Sequence, residues 1–149
     1  MKNIFLLIAS AVLLTACSSL SVQKHDGASL TRFKKIFIEH RLADGRRLDQ
    51  LIAQELQRLG YDASSGPLTM APEGVEAVVT YDDEWNYDFT LYMIDLTVQV
   101  RDGRTGQILV DASYHHPSMS GKSPAEMVQA VIDPLFERPT SNIQLPTSK

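Results

Sequence analysis

The sequence predicts an α+β domain: a single antiparallel-dominated sheet of about four strands with two helices packed on one face, in the order β-α-β-β-β-α. Three observations predict it. Leu48, Leu51, Ile52, Leu56 and Leu59 recur at helical spacing, and so do Met127, Val128, Val131, Ile132 and Leu135 near the C-terminus. Between these two stripes, residues 92–101 alternate with period two. Tyr92, Ile94, Leu96, Val98 and Val100 take one side; Met93, Asp95, Thr97, Gln99 and Arg101 take the other. Finally, Asp102-Gly103-Arg104-Thr105-Gly106 reads as a hairpin connection, after which Gln107 to His115 returns antiparallel.

Taken in order, the chain begins with a targeting segment rather than with fold. Met1-Lys2-Asn3 is short and positive, and Ile4 to Leu14 is apolar apart from Ser10. Eleven helical residues cover about 16 Å, roughly half of a ~30 Å hydrocarbon core, so the run is too short to span a bilayer. It fits a secretory signal peptide over residues 1–16. The run ends in Leu14-Thr15-Ala16-Cys17, which holds the only cysteine of the 149-residue chain. These four residues resemble the lipobox of bacterial lipoproteins. That resemblance implies cleavage before Cys17, a thioether-linked diacylglycerol on its sulfur and an N-acyl chain such as palmitate. Two or three chains hold a protein on a membrane where one does not. Ser18 after the cysteine, where the bacterial sorting pattern would need Asp for retention, implies the periplasmic face of the outer membrane. No second cysteine exists to form a disulfide in that oxidising compartment.

Residues 17–31 then read as the lipidated cysteine and a flexible tether, since Ser18 to Ser29 is small, polar and aperiodic. The periplasmic domain is expected over residues 32–138. It opens with a buried strand, Ile36-Phe37-Ile38-Glu39-His40, followed by a turn at Asp44-Gly45 and the first helix, with Gly60 at its C′ position. Ser64-Ser65-Gly66-Pro67 and Ala71-Pro72-Glu73-Gly74 predict loop. Glu76 to Tyr81 predicts a short strand. Ser123-Pro124-Ala125-Glu126 combines a capping box with proline at the first helical position, and Pro134 should kink or loosen the last turn. Residues 139–149 form a polar tail expected to be disordered.

Composition excludes some functions. The net charge is -4, and removing residues 1–16 with Lys2 leaves 13 basic against 18 acidic side chains. Nucleic-acid binding needs clustered cations, and only Lys34-Lys35 and Arg46-Arg47 are adjacent. There is no G-x-G-x-x-G, phosphate-cradling loop, HExxH or G-x-S-x-G elbow, so no cofactor beyond the covalent lipid and no enzyme activity is expected. A hydrolase built on His115 and Ser118, Ser120 or Ser123 is the weaker alternative. His115 and His116 are adjacent on a strand, so their rings should face opposite ways and share no metal.

The densest chemistry is Tyr81-Asp82-Asp83-Glu84-Trp85-Asn86-Tyr87-Asp88-Phe89. Its carboxylates lack calcium-loop spacing and read as a solvated acidic turn between two strands, so no metal is expected. Its aromatics make Tyr81, Asp83, Trp85, Tyr87 and Tyr92 the candidate surface for an envelope protein partner or, alternatively, for a glycan, lipid or peptide ligand.

Beyond the lipobox, Ile36–Glu39, Leu48–Gly60, Thr80–Phe89, Arg101–Leu109 and Lys122–Val128 together resemble a group of small proteobacterial envelope lipoproteins. The resemblance spans most of residues 34–136. It implies a small periplasmic domain on a lipid anchor and assigns no reaction. The expected function is therefore that of a non-catalytic cell-envelope interaction or accessory protein.

Overall fold

The computed structural model of the chain describes residues 18–25, 28–116 and 122–136. Cys17, the residues before it and the C-terminal tail lie outside the described residues. Six strands form one mixed sheet: β1 (Ser19–Lys24), β2 (Lys35–Glu39), β3 (Asp62–Gly66), β4 (Ala77–Asp88), β5 (Thr90–Asp102) and β6 (Ile108–His115). Their order across the sheet is β1-β6-β5-β4-β2-β3. Helix α1 (Leu48–Arg58) connects β2 to β3, and helix α2 (Pro124–Phe136) follows β6.

This corrects the expected four-strand, antiparallel-dominated sheet in three respects. First, residues 19–24, expected within the tether, are all paired antiparallel with β6, from Ser19 opposite His115 to Lys24 opposite Val110. Second, residues 62–66, expected as loop, form β3 parallel to β2, making a β2-α1-β3 crossover unit. Third, β4 also runs parallel to β2, so two of the five strand pairs are parallel and the sheet is mixed. The segments that became β1 and β3 have few apolar residues to betray them. They sit at the two edges of the sheet, where backbone pairing rather than side-chain burial makes the strand.

One face carries the core. Ile36 and Ile38 of β2, Ala77, Val79 and Tyr81 of β4, Leu96, Val98 and Val100 of β5, and Val110 and Ala112 of β6 join one buried cluster with the apolar stripes of both helices. The opposite face is mostly polar, with cross-strand hydrogen bonds such as Gln99 Nε2 to Asp111 Oδ1 at 2.7 Å and Thr97 to Ser113. Helix α1 ends in a Schellman arrangement. Gly60 has φ of 90°, its N–H reaches Gln57 O at 2.9 Å, and the Tyr61 N–H reaches Leu56 O at 3.0 Å. Tyr61 then donates from its hydroxyl to Phe136 O at 2.7 Å, tying the ends of α1 and α2 together. Helix α2 begins with a reciprocal capping box. The Ser123 N–H donates to Glu126 Oε2 at 2.7 Å, and the Glu126 N–H to Ser123 Oγ at 3.3 Å. The helix continues through Pro134 to Phe136.

The alternation of β5 is interrupted once. Asp95 faces Glu84 but Met93 faces Trp85, leaving Ile94 as the extra residue of a bulge. The bulge reverses the face of everything before Asp95. Met93 is therefore buried in place of the Tyr92 and Ile94 that period two alone would select.

Candidate functional site

The acidic-aromatic stretch is strand rather than turn. Residues 81–88 complete β4, the chain reverses at Phe89, and β5 begins at Thr90. β6 and β1 reach only as far as the row in which Glu84, Asp95, His115 and Ser19 pair across four strands. Beyond that row the His116 N–H still reaches Ile94 O at 2.7 Å, and from there, among the described residues, β4 and β5 continue as a two-stranded hairpin.

Trp85 and Met93 pair on the core side, and Tyr87 and Leu91 pair next along the same side. Met93 is buried and Trp85 half-buried, whereas Tyr87 is 71% exposed, Leu91 46% and Phe89 89%. An apolar stripe thus leaves the core and runs out along the hairpin into solvent. Phe89 holds φ at 60°, the left-handed region that a bulky side chain seldom adopts.

The loop between β2 and α1 braces the base of this hairpin. The Tyr81 hydroxyl donates to Asp44 Oδ2 at 2.7 Å, and Arg41 Nη1 bonds Asp82 and Asp83, the latter at 3.0 Å. Asp83 Oδ2 accepts the Trp85 indole N–H at 2.5 Å, and the Arg46 guanidinium lies 4.2 Å above the Trp85 ring. Asp44 also accepts the N–H groups of Arg46 and Leu48, at 2.8 and 2.7 Å, and so closes the start of α1. Burial alone would raise the Asp44 pKa. The hydrogen bonds from Tyr81 and these backbone groups outweigh it and hold the carboxyl below its ordinary range. For Tyr81, burial and then the Asp44 carboxylate push the phenol upward.

The candidate residues therefore divide. Tyr81 is buried and serves the Asp44 loop. Asp83 orients Trp85. Trp85 and Tyr92 line a cleft of about 510 Å³ with Arg46, Leu51, Met93 and Lys122. Tyr87 lies outside that cleft, on the exposed hairpin. On the polar face, Asp82, Asp83, Glu84 and Asp95 surround a depression of about 320 Å³. Cys17, Ser118 and Ser120 fall outside the described residues. His115 bonds Asp95 at 2.8 Å, while His116 is buried beside Tyr114 with the rings nearly parallel. Ser123 is engaged in the helix cap.

Sequence reasoning missed two features. Phe89 and Leu91 belong to the exposed stripe, and only the hairpin pairing shows it. His40, Asp44 and Asp49 also converge, with ligand atoms within 4.8 Å of one another. Asp44 holds the loop and Tyr81, and Asp49 faces Arg47 Nε at 3.2 Å and, at 3.3 Å, His40 Nδ1, which is buried without a hydrogen bond. For Asp49, burial raises the pKa, but the Arg47 and Ser65 hydrogen bonds together with the Arg47 charge leave it lowered.

No family model matches the chain, and no curated protein matches it. Solved structures do. A PelC dodecamer from Paraburkholderia phytofirmans, a single-residue variant, aligns with a TM-score of 0.61 at 20% identity, covering 80% of this chain and 100% of that one. A second PelC dodecamer structure from the same organism aligns at 0.59 and 16%, covering 80% and 99%. At such identities the likeness is one of fold, and over four fifths of its length this chain shares the fold of PelC.

Proposed function

We propose that the chain is a lipid-anchored periplasmic domain on the inner face of the outer membrane, working as a non-catalytic accessory module of the cell envelope. Contact, not chemistry, is its business. The observation that carries this reading is the apolar stripe of Tyr87, Phe89 and Leu91, exposed on a hairpin that projects beyond the sheet. A soluble domain gains nothing by presenting three large apolar side chains together, so such a patch marks an interaction surface. The motif at Leu14–Cys17 supplies the anchor. The likeness to PelC, solved as dodecamers, supports a further element of the reading: copies of this chain assemble with one another in the envelope.

The experiment is metabolic labelling with palmitate combined with crosslinking in intact envelopes. The wild-type protein should take up label, fractionate with the outer membrane and crosslink into species larger than one copy. Cys17→Ser should lose the label. A Cys17→Ser protein that is still labelled and membrane-bound overturns the anchor, and a wild-type protein that crosslinks to nothing overturns the accessory role.

The cleft beside Trp85 favours a second reading, in which it takes a small amphiphile. Its wall combines Leu51, Leu91 and Met93 with the cations of Arg46 and Lys122, a setting suited to an apolar body with an acidic group. Trp85 is the single tryptophan, so its emission should shift on titration with such a ligand. Unchanged emission across acidic glycan and lipid fragments removes this reading.

A further inference from the structure

The anchor and the hairpin leave the domain from the same end. β1 starts at Ser19, in the row that also holds His115, Asp95 and Glu84, and runs inward from there. Cys17 is two residues earlier in the chain, so covalent geometry keeps its Cα within about 7.6 Å of that of Ser19. β4 crosses the same row at Glu84 and goes on outward to Asp88. At about 3.3 Å per residue, Phe89 stands roughly 16 Å beyond the row. β1 and β5 are separated by β6 alone, so the two features are offset sideways by only about 10 Å.

The chemistry along the hairpin is graded in the way a membrane surface requires. At the far end are Tyr87, Phe89 and Leu91, with Asp88 the single charge among residues 85–92. Nearer the domain, Trp85 and Tyr92 share the cleft with Arg46 and Lys122, aromatic rings beside cations at the depth of lipid phosphates. Nearer still, Asp82, Glu84 and Asp95 form an acidic rim that lipid would not cover. A protein held to a bilayer through Cys17 has that bilayer as the surface nearest this end.

We infer that the occupant of the Tyr87–Phe89–Leu91 stripe is the bilayer itself: the β4–β5 hairpin dips into the headgroup region next to the acyl chains of Cys17 and holds the domain at two points. This deepens the anchored-module reading and rests on the lipidation of Cys17. A single tether would leave the domain free to turn; a second contact fixes which end faces the periplasm.

Because the acylated Cys17 leaves no free thiol, one introduced cysteine can be labelled alone. The full chain, purified from membranes in its processed form, would carry Asp88→Cys or, at the opposite end of β5, Arg104→Cys, each labelled with an environment-sensitive fluorophore. Both native side chains are exposed. The proteins would be reconstituted in vesicles of phosphatidylethanolamine with a minority of phosphatidylglycerol, with and without lipids bearing a nitroxide just below the headgroup. The expected result is blue-shifted emission and strong quenching at position 88, with neither at position 104. Adding Tyr87→Ser and Phe89→Ser to the Asp88→Cys protein should abolish the quenching while the protein still floats with the vesicles. Floating protein whose position 88 is unquenched overturns the hairpin contact and leaves the anchor standing. Equal quenching at 88 and 104 overturns it too, by showing a domain lying on its side. Protein that stays out of the vesicle fraction overturns the anchor, and this inference with it.

Discussion

Asp44 shows how one side chain can govern the base of a projecting hairpin. Its two oxygens receive the Arg46 and Leu48 N–H groups and the Tyr81 hydroxyl, joining the start of α1 to β4. The Asp44 pKa is lower in the folded chain than in the unfolded one, where it is about 3.9. Its contribution is therefore present above that value and lost as pH falls through the folded-state value. Asp44→Asn should cost about 1–2 kcal/mol in urea unfolding at pH 7, as a lost cap and a weakened buried hydrogen bond imply. The gap from wild type should shrink as pH drops below 4; a gap constant from pH 7 to pH 3 would assign the loss to packing instead. Phe89 presents the opposite trade. With φ at 60°, it occupies a conformation that glycine adopts freely and a bulky residue does not. Phe89→Gly should raise the urea midpoint, by about 1 kcal/mol of stability, since the ring is exposed and contributes little burial. Stability given up at an exposed turn fits the contact role proposed for Phe89.

Among the elements, the connection from β5 to β6 is the tightest. A Cβ placed on Gly103 would lie 2.4 Å from Val75 O, and the atoms in the way are backbone. The Gly103 N–H also donates to Glu76 O at 2.8 Å, so the turn is fastened to the segment entering β4. Gly103→Ala should therefore destabilise the fold by about 1–3 kcal/mol, as overpacking against rigid neighbours does. A melting temperature equal to wild type would show that the 75–76 segment yields freely. The hairpin formed by β4 and β5 is a different kind of element. Its inner half is sheet with a buried face, while its outer half has no third strand among the described residues. It keeps its form through Arg41 and Arg46, which reach Asp83 and Trp85 of the hairpin from the loop before α1. An isolated two-stranded ribbon is marginal in water, so bracing from the side is a physical requirement.

At the scale of the whole molecule, β1 decides how the proposed anchor would be coupled to the domain. A tether of residues 17–31 would let the domain wander; a strand paired from Ser19 to Lys24 ties the chain into the sheet from Ser19 onward. Amide exchange of the full chain should find the 19–24 segment protected to nearly the level of β6, and exchange as fast as an unstructured peptide would refute the pairing. Much of this architecture was legible beforehand. Both helices, the Gly60 terminus and the Ser123–Glu126 cap follow from local spacing, because a helix closes its hydrogen bonds within its own segment and buries one stripe. The inner halves of β4 and β5 and the return strand β6 follow from alternation for a similar reason. By itself the sequence also determined the lone Cys17 in its lipobox-like setting and the concentration of aromatic and acidic residues at 81–89. The rest was decided only by tertiary structure. β1 and β3 are edge strands of polar composition, made strands by the partner that satisfies their backbone. The parallel pairing of β2 depends on a crossover that no local pattern encodes. The bulge at Ile94, which buries Met93 and sends Tyr87 and Leu91 outward on one side, exists only as a mismatch between two strands. That β1 starts in the row from which the hairpin projects is likewise a matter of register across four strands. Strand pairing is a non-local interaction, and a sequence read along its length carries the side chains but not the neighbours that give them a direction.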